Sequence, residues 1–236
     1  MSGPCYCRSG KAFLECCGNP SPNRPPPVGL HIYSGLFSKT ECKKLIRLAD
    51  QQRSNWLTLK DEERSLAEGR NVQKRDPARV ARGIDMRAHQ DLLNAWINRA
   101  IVSCVEPVIG QQIEFFEPPK LMRYNGGGLY KSHSDSEELN ENKQWYKVFD
   151  RDVSILVYLN DKFKGGGLRF GHLNYTYQPK AGDLVFFPSD HLYLHESVPI
   201  EKGVKYSLVS WSAVVGSERV GFPITMHLAP NRAGVS

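Results

Sequence analysis

From about residue 112 the chain is written in short β-rich pieces separated by glycine and proline, and this pattern constrains its fold more than any other feature. The pieces are 112–116, 119–124, 129–133, 153–159, 168–170, 173–178, 183–187, 193–198 and 204–214. Many short strands at turn-rich intervals, with no helical segment between them, indicate an antiparallel sandwich or barrel. The polar and acidic stretch 137–150, which carries Trp145 and Tyr146, reads as an excursion between strands beside a site. No internal repeat of solenoid length is visible.

The segment before residue 112 supplies helices. Ser38-Lys-Thr-Glu41 is a capping box ahead of Cys42, Leu45, Ile46 and Ala49 at helical spacing, which predicts a helix over about 39–53. Leu92, Leu93, Trp96, Ile97, Ala100, Ile101, Cys104 and Val105 repeat with helical period and predict a long core helix ending near Pro107 or Gly110. Cys42 and Cys104 fall among apolar neighbours and read as buried structural thiols. Between the helices, 57–85 is rich in charge and glycine with little periodicity, which predicts loop or short strands, a flap over a site. The expected fold class is mainly β with supporting helices (α+β), the helices packed on a jelly-roll-like core.

At 236 residues, 40% apolar and 24% charged, the chain suits one sizeable globular domain plus a small appendage. The net charge of +6 comes from Lys and Arg interleaved with acids, as in Asp61–Arg64 and Asp150–Asp152. That is the pattern of a solvated surface, so direct nucleic-acid binding is not expected. The longest apolar runs, such as Val153–Leu159, are too short to cross a bilayer, and no basic segment followed by an apolar one opens the chain. The expected address is cytoplasmic.

Four of the six cysteines, Cys5, Cys7, Cys16 and Cys17, lie close together on a segment too short to build a core. Four thiolates make a tetrahedral zinc site whose binding supplies folding free energy, and a reducing compartment argues against disulfides. The string Cys5-Tyr-Cys-Arg-Ser-Gly-Lys-Ala-Phe-Leu-Glu-Cys-Cys-Gly18 resembles the SEC-C motif, departing from it at Tyr6 and Arg8. The resemblance implies a metal-binding docking module with no chemistry of its own. The proline-rich run 19–27 that follows cannot sustain a helix or central strand. The expected division is a zinc-binding motif over 1–18, a linker over 19–29 and a main domain over 30–236, with support helices at about 39–110 and the β core at about 112–214.

Histidine is scarce, and His133, His191 and His195 stand among strand-like neighbours. On a strand, residues two apart share a face, so His133 and Asp135 project side by side. With a histidine from a distant strand they would form a facial triad of two imidazoles and one carboxylate, the ligand set of non-haem Fe(II) oxygenases. His191 and His195 have the same strand parity and both are candidates. Lys205 stands ten residues after His195, beyond a Pro-Ile/Lys-Gly turn that would return the chain as a neighbouring strand. A long cation placed deep in a barrel pairs with the far carboxylate of a dicarboxylic co-substrate.

Several motifs in order then resemble the catalytic domain of 2-oxoglutarate and Fe(II)-dependent dioxygenases, in their prolyl 4-hydroxylase-like branch. They are Leu121-Met-Arg-Tyr-Asn-Gly-Gly-Gly-Leu-Tyr-Lys-Ser-His-Ser-Asp135, Val157-Tyr-Leu-Asn-Asp161 with Gly165, Gly166 and Phe170, Pro179-Lys-Ala-Gly-Asp-Leu-Val-Phe-Phe-Pro188, and the series from His195 to Trp211. With the capped helix and the long helix, the resemblance covers roughly 30–214. It implies a double-stranded β-helix core, iron held by His133, Asp135 and His195, and 2-oxoglutarate held by Lys205. The ten-residue step to lysine selects His195 over His191. Tyr124 matches a tyrosine lining the co-substrate pocket, and Ser207 is placed to add a hydrogen bond to the same carboxylate. Leu168 stands where the family often has a small polar residue. Asp135 is retained, whereas related halogenases have glycine or alanine there, so hydroxylation is the implied outcome.

The resemblance thus implies an enzyme using Fe(II) and 2-oxoglutarate, with ascorbate as a reductant and succinate and CO2 as co-products. The docking motif favours a polypeptide substrate and a prolyl target. Hydroxylation of a free amino acid or small metabolite is the alternative. A zinc-finger adaptor with an inactive jelly roll, and a cupin-like metal protein that does not use 2-oxoglutarate, are readings of other classes.

Overall fold

The strand Lys205–Val214 is the spine of the molecule. In the computed structural model, which describes residue 5, residues 9–16, residue 18, residues 25–221 and the backbone of 227–228, this strand lies at the centre of the larger of the two main antiparallel sheets. Along one edge it pairs with Val153–Tyr158, followed outwards by Leu184–Pro188 and His31–Tyr33. Along the other it pairs with Lys120–Tyr124, then Arg82–Ile84 and Ser54–Trp56, and its far end pairs with Ile113–Phe116. The smaller sheet runs in the order Tyr175–Tyr177, Leu168–Phe170, His195–Ser197, Leu129–His133 and Arg79–Val80.

The alternation of side chains along each strand assigns the two faces. Tyr206 and Leu208 join Leu184, Phe186, Ile155 and Val157 in the cluster that receives the helices. Val185 and Phe187, one residue out of step, join Leu168, Phe170 and Tyr177 of the smaller sheet. The large sheet is therefore covered on both sides, which is why Val153–Tyr158 and Leu184–Pro188 read as near-continuous apolar runs.

The helix Lys39–Asp50 has the expected capping box: the Ser38 hydroxyl accepts from the Glu41 N–H at 3.2 Å, and the Glu41 carboxylate accepts from the Ser38 N–H at 2.7 Å. The long helix runs from Gln90 to Ile109 and ends at Gly110, whose φ of 67° suits glycine. Pro107 does not stop it. A π-helical stretch over Ile101–Val105 precedes the proline, with Glu106 N–H donating to Ile101 O, and this irregularity absorbs a residue that has no N–H to give.

The flap region 57–85 holds short strands and also a helix, Glu62–Glu68, that the sequence reading did not place. Asp61 caps it, its carboxylate accepting from Arg64 N–H at 3.2 Å, and Gly69 ends it. Only Ser65 is buried and Leu66 is 88% exposed, so there is no apolar stripe to announce a helix. The excursion after Asp135 is a hairpin of Glu137–Leu139 with Trp145–Lys147. At the other end of the chain, Cys5 is buried in the cluster with Leu30, Phe170 and Tyr177, and Phe13 and Cys16 pack against it.

Candidate active site

His133 closes the strand Leu129–His133 and His195 opens the strand His195–Ser197, and the two are directly paired in the ladder. Residues far apart in sequence thus become cross-strand neighbours, with ring centroids 4.4 Å apart. Asp135 lies past the end of the strand, so the simple two-residue alternation does not place it. Its backbone does: the Asp135 N–H donates to Ser189 O at 3.2 Å, and its carbonyl accepts from the Arg151 guanidinium at 2.8 Å. The carboxylate then sits between the imidazoles, Oδ1 at 3.4 Å from His133 Nε2 and Oδ2 at 3.5 Å from His195 Nε2.

Each imidazole is oriented by its own strand. His133 Nδ1 is 2.8 Å from Lys131 O and His195 Nδ1 is 3.0 Å from Tyr193 O. A carbonyl only accepts, so both Nδ1 atoms carry a proton and both Nε2 atoms are turned towards the carboxylate. Burial holds His195 down to about 4, against the attraction of Asp135, so its ring is neutral at neutral pH. Burial works against the Asp135 charge, but attraction to the imidazoles in their protonated form and the Ser154 hydroxyl, which donates to Oδ2 at 2.7 Å, hold the carboxyl well below the usual range. Two imidazole nitrogens and one carboxylate oxygen converge within 4.8 Å of one another. A divalent cation satisfies that arrangement, and the donor set fits Fe(II).

The other end of the same cavity has the opposite character. Lys205 is 2% exposed. Its Nζ donates to Gly166 O at 2.9 Å and to the Ser197 hydroxyl, and lies 4.5 Å from the centre of the Tyr124 ring. No carboxylate pairs with it among the described residues, and burial pushes its pKa down to about 7. The carbonyl that receives it is set by the Gly165-Gly166 turn: a Cβ on Gly165, at φ 73°, would meet Pro199 O at 2.2 Å. Tyr124 lies opposite Lys205 in the ladder, and Ser207, two residues further on, faces the same cavity. A buried ammonium without an anion fits the distal carboxylate of a dicarboxylic acid.

Residues 119–213 match the 2OG-Fe(II) oxygenase superfamily. A PKHD-type hydroxylase of Delftia acidovorans is 33% identical over 101 residues, 40% of this chain and 42% of that protein. The matched stretch is less than half the length of the first curated relatives. Among solved structures, a Pseudomonas putida prolyl-4-hydroxylase has a TM-score of 0.53 at 22% identity, covering 80% of this chain and 94% of that one. A Trichoplax adhaerens prolyl hydroxylase, bound to a peptide of the hypoxia inducible factor oxygen degradation domain, has a TM-score of 0.54 at 20% identity, covering 78% and 83%. The chain carries a 2OG-Fe(II) oxygenase domain.

Within this oxygenase domain His133, Asp135, His195, Tyr124, Lys205 and Ser207 all line one cavity. His191 does not join them. Its ring hydrogen-bonds to the Glu137 carboxylate at 2.6 Å and stacks on Trp145 at 5.1 Å. One placement differs from the sequence reading: Lys205 is not on a strand beside His195. The turn after His195–Ser197 leads through Ile200–Gly203, which pairs with Phe163–Gly165, and Lys205 then starts a strand of the opposite sheet. The lysine reaches the cavity from across the sandwich, which is what a deep cation requires. Of the proposed zinc ligands, Cys5 and Cys16 are described, and Cys16 Sγ accepts from the Ser9 hydroxyl at 3.2 Å. Cys7 and Cys17, and most of the proline-rich linker, lie outside the described residues.

Four contributors escaped the sequence reading. Ser154 holds Asp135 from the central strand, and Arg79 lines the cavity from the edge of the smaller sheet. Arg151, stacked between Phe149 and Trp211, makes a two-pronged ion pair with buried Glu117 while donating to the Asp135 carbonyl. No local motif marks any of them, because their roles arise from pairings between segments distant in sequence.

Proposed function

We propose that the protein is an Fe(II)- and 2-oxoglutarate-dependent dioxygenase that hydroxylates an amino-acid residue, prolyl in our reading, in a polypeptide, with release of succinate and CO2. The observation that carries this is the polarity of one cavity, in which two imidazole nitrogens and a carboxylate oxygen converge on a site for a divalent cation and a buried ammonium lacks an anion. His133, Asp135 and His195 would hold Fe(II). Bound Fe(II) supplies the redox chemistry that couples decarboxylation of 2-oxoglutarate to oxidation of a C–H bond. The chain's own part is binding and orientation. Lys205 anchors the distal carboxylate of 2-oxoglutarate with Tyr124 and Ser207 around it, and Ser154 and the Arg151–Glu117 pair fix the carboxylate ligand.

A polypeptide target is supported by the peptide-bound state of the Trichoplax relative and by the SEC-C-like string, which we assign as a zinc-binding docking module held by Cys5, Cys7, Cys16 and Cys17. No helix among the described residues is long and apolar enough to cross a membrane. The test is anaerobic titration of Fe(II)-loaded protein with 2-oxoglutarate, watching for the weak visible charge-transfer band of the chelate. The band is expected in wild type and absent in His195→Ala. Its absence from properly loaded wild type would overturn the proposal and leave the N-terminal motif as the working part.

A further inference from the structure

Among the described residues, Arg79 is the one cavity-lining cation that the proposed chemistry leaves unused. It sits on the short edge strand Arg79–Val80, directly opposite Tyr130 in the ladder. Its guanidinium carbon lies 4.6 Å from the centre of the Tyr130 ring, and Tyr130 in turn stacks on His133 with centroids 3.6 Å apart. The guanidinium thereby lies over the Tyr130 ring, a single aromatic ring away from a proposed metal ligand. Its Nε is buried with no hydrogen-bond partner, and no acid pairs with the side chain among the described residues.

A buried Nε–H with nothing to donate to is costly unless something arrives to accept from it. Arg151 is saturated by Glu117 and the Asp135 carbonyl, and Arg64, Arg70 and Arg87 each have a carboxylate within 2.8 Å or less. Arg82 shares an unpartnered Nε and lies over Trp56 at 4.5 Å, but it reaches the Ser54 hydroxyl at 3.4 Å and does not line the cavity, so Arg79 is set apart by facing it. The charge around Arg79 points the same way. Lys120 lies over the cavity-lining Trp211, 5.2 Å from its ring centre, and burial lowers its pKa, with Glu117 opposing the shift and Arg151 and Arg79 adding to it. The opposing acids are engaged. Glu117 is bound to Arg151, with Lys120 at 3.8 Å, and Asp76 accepts from the Ala78 N–H at 2.8 Å.

We infer that Arg79 binds a carboxylate of the substrate itself, so that the target residue is flanked by an aspartate or glutamate. This rests on the oxygenase reading and adds the substrate class to it. An extended peptide advances about 3.3–3.6 Å per residue, so a carboxylate on a residue one or two positions from the target spans from the metal ligands to the far side of Tyr130. Planar, two-pronged recognition of carboxylate is what a guanidinium fixed on an aromatic face offers and a surface lysine does not.

The experiment uses the full chain and fluorescein-labelled, proline-centred decapeptides in matched pairs that differ only by Asp or Asn, or Glu or Gln, at the two positions on either side of the proline. Hydroxylation is read by mass and binding by fluorescence anisotropy, in wild type, Arg79→Gln and Arg79→Lys. Wild type is expected to favour acid over amide by about tenfold to a hundredfold at one flanking position, the range for a charge-assisted hydrogen bond. Arg79→Gln should abolish that preference and Arg79→Lys restore part of it. Equal binding of acid and amide peptides by wild type, or a preference that survives Arg79→Gln, would overturn the inference. So would a defect of Arg79→Gln confined to the KM for 2-oxoglutarate. Free L-proline and prolinamide form a further arm: turnover of the free acid alone would keep the carboxylate contact and overturn the peptide. The chelate band of the same wild-type preparation keeps the two readings apart, because its loss counts against the oxygenase site and not against Arg79.

Discussion

The two ends of the cavity are mirror images in charge. At one end two imidazole nitrogens and a carboxylate oxygen converge; at the other a buried ammonium is given a carbonyl, a hydroxyl and an aromatic face but no anion. Neither end is arranged for the stability of the empty protein, since unpaired buried charge is expensive. In the function proposed above each end receives a guest, a cation at His133, Asp135 and His195 and the distal carboxylate of the co-substrate at Lys205. The difference teaches that the two ends are separable: one set of changes should act on metal affinity and another on co-substrate affinity.

The largest effect that would break this division is at the lysine. Lys205→Ala removes the partner of a buried carboxylate, which costs about 2–5 kcal/mol in comparable sites. The KM for 2-oxoglutarate should rise about 30-fold or more while metal affinity stays the same. Succinate formation against 2-oxoglutarate concentration reads the first quantity, and anaerobic Mn(II) titration the second. A Lys205→Ala protein with an ordinary KM would move the co-substrate elsewhere in the cavity.

Ser154→Ala acts at the opposite end. The hydroxyl donates to Asp135 Oδ2 and shares a further hydrogen bond with the Ser189 hydroxyl at 2.8 Å. Loss of such an outer partner of a metal ligand lowers metal affinity by about 10- to 100-fold. With metal saturating, the KM for 2-oxoglutarate should be that of wild type. If instead Ser154→Ala and Lys205→Ala changed both affinities together, the two ends would be one coupled unit.

How much of this was readable in advance follows from where each signal resides. His133, Asp135, His195 and Lys205 lie in strings whose spacing carries their role, and strands such as Lys120–Tyr124 and Val153–Tyr158 are bounded by their own turn residues. Arg79 was hidden because it sits in a charge-rich stretch without periodicity, and only the pairing of Arg79 with Tyr130 aims it at the site. The helix Glu62–Glu68 was hidden for a related reason, since its residues contribute almost nothing to a core and leave no apolar period. The sheet to which Lys205 belongs depends on which edge its strand finds, and a turn motif specifies a reversal without specifying a partner. The candidate ligands were local information, and the residues that support them were not.

The smallest effect tests whether Lys205 serves function at the expense of stability. Its pKa is about 7 in the folded chain against an ordinary 10.5, because burial disfavours the ammonium. The folded protein is therefore the proton-poor state between those values, and stability rises with pH across that window. Below about pH 7 the lysine is charged in both states and the full penalty is present. Lys205→Met keeps most of the side chain's volume and removes the charge, so it should raise Tm at pH 6 by about 2 °C or more, the shift expected for 1 kcal/mol in a chain of this size. At pH 9 the gain should shrink, because there the folded wild-type lysine is largely neutral. Calorimetry of the metal-free proteins at the two pH values reads both numbers. A Lys205→Met protein less stable than wild type at pH 6 would mean that Gly166, Ser197 and Tyr124 satisfy the ammonium without help, and the lysine end would then be a finished structural contact rather than half of a binding site.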